Sequence, residues 1–536
     1  MKNTPDLILF NGNFHTLKNE NILPGAVAIC GKYIYALGSD REILAMADSH
    51  THRIDLQKRL VLPGFTDTHF HFYEWALNYD SIDFSKILNF SEMEEAVRAR
   101  AAELGQGKWI LGQGFNESDW PENKIPDRHD LDRAAPHNPV CIWRCDLHLG
   151  VANSAALKLA GIKRTTPDPE NGVIMRDADG FPTGVLKELA LNLISSAIPE
   201  LEEAKLLQNM QKAMSHAHSL GLTGVHDIRL MGGEQGAAAL KAWQTLHWQE
   251  KLNIRCHVAL PGEMTDQAVD IGLSTGFGDD LLKIGYLKFF ADGGMGARTA
   301  WVTEKYLDAE YGMPLTPVEE IESAVTKADA AGLSCMVHAI GDMACHEIIK
   351  MFSRIEQKNQ SNCRIPHRIE HVQMILPEDL ERLGRLKNLA VSCQPNNMSL
   401  DISMIEQCSG KRGKYAYTLK NILNTGIPVM FSSDAPVADP NPFAGIYSAV
   451  TRKRMDKTPE KGWYMDQAIG VHEAVTGYTL TPAVVSGNSH ILGSISQGKL
   501  ADLVVTDQDI FNIPHEEIAG TKVDLTVFNG KLVYER

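Results

Sequence analysis

Long apolar runs are missing from this sequence. No stretch of its 536 residues approaches the roughly 18 apolar residues that crossing a bilayer takes, so no membrane span is expected. The first twenty residues, MKNTPDLILFNGNFHTLKNE, carry Pro, Asp, Asn and Gly where a secretory leader would need an unbroken apolar segment, and a cytoplasmic location is expected. Basic excess is missing too. With 52 Lys and Arg against 67 Asp and Glu, the formal net charge is −15, whereas neutralising phosphates takes clustered cations. This disfavours nucleic acid and anionic membrane as partners and favours a small-molecule substrate. The nine cysteines are scattered, odd in number and never spaced as CxxC, so they offer neither a disulfide framework nor a thiolate zinc site. Low-complexity tracts and short-period repeats are also absent. What the length supplies is room for several cores, or for one large barrel with attachments.

The two ends of the chain echo one another. Asp6-Leu-Ile-Leu-Phe-Asn-Gly12 and Asp524-Leu-Thr-Val-Phe-Asn-Gly530 share the order D-L-x-x-F-N-G, and each reads as a strand followed by an Asn-Gly turn. With the alternating stretches between 24 and 62 and with GSISQGKLADLVVTD, they predict a small β-sandwich composed of residues 1–62 and 486–536. The region between, 63–485, would then leave and return at neighbouring points. It contains eight short runs rich in Val, Ile and Leu, at 61–66, 222–227, 254–259, 286–291, 334–339, 367–372, 390–395 and 428–433. Runs of this kind, separated by amphipathic helical segments such as PVEEIESAVTKADAAG, are the pattern of parallel strands buried on both faces. The expected fold is therefore α/β, a (β/α)8 TIM-like barrel. The first connection holds strand-like KWILGQGF and PVCIWRC and helical NSAALKLAG. An insertion over the barrel mouth, at about 75–215, is expected there, because a structureless loop of that length is uncommon in a compact domain.

Working residues of β/α barrels lie at the C-terminal ends of strands. After the first run comes Asp67-Thr-His69-Phe-His71, whose alternation points both imidazoles to one side, the bite needed for one cation. The fourth run carries Lys288 within Tyr-Leu-Lys-Phe-Phe, and a buried ammonium is costly unless altered or paired. Carboxylation would turn it into a carboxylate able to bridge two metals. The fifth run ends at His338, the sixth at His371 and the eighth at Ser-Ser-Asp434. Six such groups at the mouths of five strands predict a metal centre.

With these motifs in hand, the sequence resembles the amidohydrolase superfamily, and within it the long YtcJ-like branch. The carriers are Leu-Pro-Gly-Phe-Thr-Asp-Thr-His-Phe-His (62–71), Asn-Ser-Ala-Ala-Leu (153–157), Gly-Leu-Thr-Gly-Val-His-Asp (221–227), Leu-Lys-Phe-Phe-Ala-Asp-Gly-Gly (287–294), His-Ala-Ile-Gly-Asp (338–342), Arg-Ile-Glu-His-Val-Gln (368–373), Ser-Ser-Asp-Ala-Pro-Val (432–437) and Gly-Lys-Leu-Ala-Asp-Leu-Val-Val (498–505). The sequence departs from the branch at Gly294, where Ser is the commoner residue. The resemblance implies that His69, His71 and Asp434 hold one divalent metal, that His338 and His371 hold a second, and that carboxylated Lys288 bridges them. A one-metal site using part of this set is also found in the superfamily. Zinc is the expected metal, and a homodimer the expected assembly.

The expected reaction is hydrolysis of a non-peptide carbon–nitrogen bond, in an amide, cyclic amide or N-acyl group, by metal-activated water. Asp434 serves as base and then acid. Substrate contacts are expected from Arg144, His148, Trp120, Trp301, Glu188 and Asp292, with His226 and Asp227 orienting a ligand imidazole from behind. Two other readings stand beside this one. Deamination of a heterocycle would use one metal and an unmodified Lys288, and a non-catalytic regulator would keep the fold without the chemistry.

Overall fold

The computed structural model describes residues 4–17, 22–199, 201–231, 236–358 and 361–536. Eight parallel strands follow one another in chain order: Phe65–Phe70, Leu222–Asp227, Arg255–Pro261, Leu282–Phe290, Cys335–Ala339, His367–His371, Leu389–Cys393 and Val429–Phe431. The first and eighth are drawn together by backbone bonds from Asp434 N–H to His69 O (2.8 Å) and from His71 N–H to Ala435 O (2.9 Å). The Thr68 hydroxyl adds a bond to Phe431 O at 3.1 Å. The result is a TIM-like barrel. Its fifth, sixth and seventh strands are buried at every residue, as double-sided burial requires. Outside them, helix Asp342–Lys358 buries Cys345, Ile348, Phe352 and Ile355, the three-and-four spacing of an amphipathic helix. Each of the larger of these side chains contributes about 1.5–3 kcal/mol on burial.

The first barrel strand begins four residues later than the 61–66 run suggests. Leu60–Pro63 is a strand of a different sheet, paired with Leu503–Thr506 and with Leu7–His15. The chain changes sheets at Pro63-Gly64. Pro63 has no amide donor with which to continue the ladder, and a Cβ on Gly64 would stand 2.2 Å from the Thr223 hydroxyl of the second barrel strand. The apolar run is therefore two strands meeting at a close approach.

Both ends of the chain meet in one eight-stranded sheet. It runs Lys531–Glu535, Val523–Phe528, Leu503–Thr506, Leu60–Pro63, Leu7–His15, Ile22–Cys30 and Tyr33–Gly38, with His52–Asp55 beside Leu7–His15. The two Asn-Gly pairs behave differently. Asn529-Gly530 turns between the last two strands, as expected. Asn11-Gly12 instead lies inside Leu7–His15 as an irregularity in the pairing, with Asn11 at φ 56°. Its amide is taken by Asp40 at 2.8 Å and its side chain by Asp55 at 2.7 Å, and Asn13 to His15 continue the ladder instead of reversing.

Between the first and second barrel strands a third sheet forms, ordered Gly172–Arg176, Pro182–Glu188, Leu149–Ala152, Val140–Arg144, Ile110–Phe115 and Ile82–Asp83. It has a core of its own around Phe84, Met93, Phe115, Leu131 and Ile142. Among the described residues no helix is long and apolar enough to cross a membrane.

Arg255 of the third barrel strand ties the barrel to the terminal sheet. It donates to both oxygens of Asp502, at 2.6 and 2.9 Å, with both side chains nearly fully buried. Breaking a buried pair from one side strands the remaining charge, so Arg255→Ala is expected to cost about 3–5 kcal/mol. The measurement is the urea midpoint, and an unshifted midpoint would show that this pair does not hold the two units together.

Candidate metal centre and substrate cavity

His69 is the penultimate residue of the first barrel strand and His71 lies just beyond its end, so strand alternation sends both imidazoles toward the barrel mouth. Each is held from behind by its Nδ1. Glu370 Oε2 lies 2.5 Å from His69 Nδ1, and Ile228 O lies 3.2 Å from that of His71. The two Nε2 atoms consequently face forward, and each stands 3.2 Å from Asp434 Oδ1. A nitrogen fixed as donor on one side of the ring leaves the other with its lone pair free, as metal ligation requires.

Asp434 and His371 reach this point through unusual backbone. Asp434 has φ 61° and His371 φ 71°, followed by Val372 at 46°. Straight continuation of the sixth strand would alternate His371 away from Glu370, and the left-handed turn brings it back toward the mouth. There its Nδ1 is 2.9 Å from Gln394 Oε1 and 3.9 Å from Asp434 Oδ2. Its ring centre lies 4.8 Å from that of His69 and 4.5 Å from that of His338. His338 rests with Nε2 3.3 Å from Gly293 O.

Burial holds His69 and His338 well below the ordinary imidazole range and His371 at about 3, with Lys288 and neighbouring imidazoles adding to the effect. All three rings are therefore neutral, the form that binds cations. Asp434 is raised by burial but lowered more by the neighbouring His71 and His371 imidazoles, and it ends below the usual carboxylate value. Lys288 is 2% exposed and burial brings its amine down to about 8. Its Nζ lies 4.6 Å from the Phe290 ring centre. Lys288 Nζ and Asp434 Oδ1 have no hydrogen-bond partner among the described residues, and buried polar atoms left in that condition are rare. Ligand atoms of His69, His371 and Asp434 lie within 4.8 Å of one another. Neutral imidazoles, an ionised carboxylate and two orphaned polar atoms around one point fit a divalent metal centre.

All six residues expected as ligands, His69, His71, Lys288, His338, His371 and Asp434, line one cavity of about 770 Å³ between the barrel mouth and the inserted sheet. His148 and Glu188 also line it, and His148 Nδ1 is 2.8 Å from Glu188. Burial pulls the His148 imidazole down, the Glu188 carboxylate pushes it up further, and the balance stands at about 9. His148 lies directly over Gly294, where a Cβ would come within 2.8 Å of its ring.

The remaining expected contacts lie elsewhere. Arg144 is 2% exposed and fully engaged by Glu117, Asp146 and Asn116, so it braces the insertion and is not part of the wall. Trp120 sits in the insertion core with its indole N–H on Ile87 O at 2.8 Å. Trp301 packs against the barrel core outside the cavity. Asp292 accepts the amides of Ile340, Gly341 and Trp301 and fixes the loop that follows His338. Asp227 is taken up by Arg229, Tyr73 N–H and Trp243 Nε1. His226 touches no ligand imidazole directly. Its Nδ1 accepts from Arg368 at 2.7 Å, and Arg368 in turn grips Glu370, the partner of His69.

Glu370 and Arg368 were not singled out from sequence, although Arg-Ile-Glu alternates toward the barrel interior at the required period of two. Asp67 was also missed. It accepts from the His69 amide and from the Ser433 amide and hydroxyl, and so joins the first strand to the segment that carries Asp434.

Residues 53–534 match the Amidohydrolase family. YtcJ of Bacillus subtilis (strain 168), named as an amidohydrolase, is 31% identical over 533 residues, covering 98% of this chain and 99% of its own. The N-substituted formamide deformylase of Arthrobacter pascens is 28% identical, covering 99% of this chain and 98% of its own. The crystal structure of an uncharacterized metal-dependent hydrolase from Pyrococcus horikoshii OT3 superposes with a TM-score of 0.75 at 26% identity, over 95% of this chain and 99% of that one. With the barrel, the cluster and these matches together, the chain belongs to the amidohydrolase family.

Proposed function

We propose that the chain is a metal-dependent hydrolase of a non-peptide carbon–nitrogen bond in a small molecule: an amide, a cyclic amide or an N-acyl group. The observation that carries this is the convergence of the His69 and His71 Nε2 atoms on an otherwise unpartnered Asp434 oxygen at the head of the cavity. The relative named for deformylation of N-substituted formamides supports the choice of bond. In this reading His69, His71 and Asp434 would hold one divalent metal, His338 and His371 would hold a second, and Lys288, as its carbamate, would supply a further anionic ligand. A divalent metal such as zinc, when held there, would acidify water and polarise the carbonyl.

The side chains supply the rest. Asp434 Oδ1 accepts the proton released on attack and returns it to the departing nitrogen, acting as base and then acid. Glu370 and the Ile228 carbonyl keep His69 and His71 in the tautomer that presents Nε2. His148, braced by Glu188 and seated on Gly294, borders the space a substrate enters.

The tighter group of His69, His371 and Asp434 favours one alternative, a single-metal centre with Lys288 left as an amine. That arrangement suits a deaminase, and ammonia among the products would identify it.

Elemental analysis of the purified chain is expected to give about two metals, with a native mass raised by about 44 daltons from the carbamate. Lys288→Ala should lower both. One metal per chain, unaffected by that change, would favour the deaminase. Glu370→Gln is expected to weaken metal affinity about 10–100-fold by freeing the His69 ring, read by competition with a chelator; affinity equal to wild type would remove Glu370 from the design. With N-phenethylformamide as the probe, formate release should stop on chelation and return with metal. Asp434→Asn should lower kcat about 100–10,000-fold, and a variant at full rate would refute the assigned proton transfer.

A further inference from the structure

Resting on the hydrolase reading above, we infer that the substrate is an amide whose nitrogen carries a bulky apolar group and no acid group. The cavity is of the size that encloses a drug-sized molecule. Away from the metal-type cluster its wall is built from Leu77, Leu111, Trp143, Leu191, Ile198 and Leu206, contributed by the insertion and by the helices flanking it. An apolar substituent there gains by leaving water.

The fixed charges on the same wall act against an anion. Asp146, Glu188 and Asp401 all line the cavity; Asp146 is paired with Arg144 and Glu188 with His148, so Asp401 is the one of the three with no ion pair among the described residues. Asp401 Oδ2 accepts from Gln373 at 2.9 Å and from the Tyr417 hydroxyl at 2.6 Å, and no bond to its Oδ1 is found among the described residues. The cations available to offset them are engaged. Arg229 is bound by Asp227 and Glu74, and His148 is paired with Glu188. Lys241 lies at the solvent-exposed rim, 3.5 Å from Glu203. Arg144 is sealed behind Glu117 and Asp146, and Arg368 is taken up by Glu370. On this wall, away from Lys288 and the metal-ligand cluster, a carboxylate on the substrate would lose its water and meet Asp401 with the neighbouring cations already paired, which is how a site rejects a competitor of the same shape. N-acyl amino acids are thereby disfavoured, and neutral amides of apolar amines are admitted.

The matched pair N-phenethylformamide and N-formylphenylalanine, which differ by one carboxylate, tests this on the metal-loaded full chain at pH 8. Their methyl ketone analogues, in which a methylene replaces the amide NH and a methyl the formyl hydrogen, contain no carbon–nitrogen bond to cut and report binding alone. The neutral ketone is expected to bind about 100-fold more tightly than its carboxylate twin, with a similar ratio in kcat/KM for the formamides. Asp401→Asn should narrow the binding ratio about 3–10-fold. Equal or tighter binding of the carboxylate twin, an unchanged ratio in Asp401→Asn, or no binding of either ketone at millimolar concentration would overturn the inference. Preference for the neutral ketone with neither formamide cleaved would uphold it and overturn the deformylating reaction instead.

Discussion

A guanidinium with no access to water sets the geometry of the barrel interior. Arg368 donates to both oxygens of Glu370, to His226 Nδ1 and to the Thr68 carbonyl, at 2.7–2.9 Å, and lies over the Tyr286 ring. It thus joins the first, second, fourth and sixth strands. Withdrawing a guanidinium and a carboxylate from water costs several kcal/mol each, and the arrangement is tolerable only with its hydrogen bonds satisfied. Satisfying them leaves Glu370 one orientation, and that orientation aims His69. The cluster at the mouth inherits its precision from a pair that no substrate reaches.

Two further constraints act from outside. The terminal sheet grips the third strand through Asp502, and the insertion supplies the outer wall of the cavity with its own core behind it. Where the cluster itself is formed, the backbone takes left-handed conformations at His371, Val372 and Asp434. Such residues cost about 1–3 kcal/mol each and persist only where surrounding bonds fix them. Here Gln394 fixes one side and the Asp67–Ser433 contacts the other.

Much of this was legible in the sequence because periodicity and composition report local facts. The eight apolar runs, the alternation of His69 and His71, and a lysine in an apolar strand all declare burial and direction without knowledge of neighbours. What escaped depends on who faces whom. Glu370 and Arg368 alternate like any strand residues until a partner is known across the barrel. Trp120 and Trp301 carry the bulk of pocket walls, yet bulk alone does not tell a wall from a core. Arg144 ends a strand as a substrate anchor would, and only the positions of Glu117 and Asp146 reveal that it is already bound. The Leu-Val-Leu-Pro-Gly-Phe run misled by one strand because a change of sheet leaves no mark on hydropathy.

The seam that closes the barrel also orders events in time. The Ser433 amide and Asp67 are 366 residues apart in the chain, yet they meet beside the atoms on which the cluster depends. During synthesis His69 and His71 emerge early and wait for Asp434 through most of elongation, and the closing strand bears the entropy of a very long loop. The centre can therefore assemble only as one of the last acts of folding, and a nascent or truncated chain carries its imidazoles without the carboxylate that completes them.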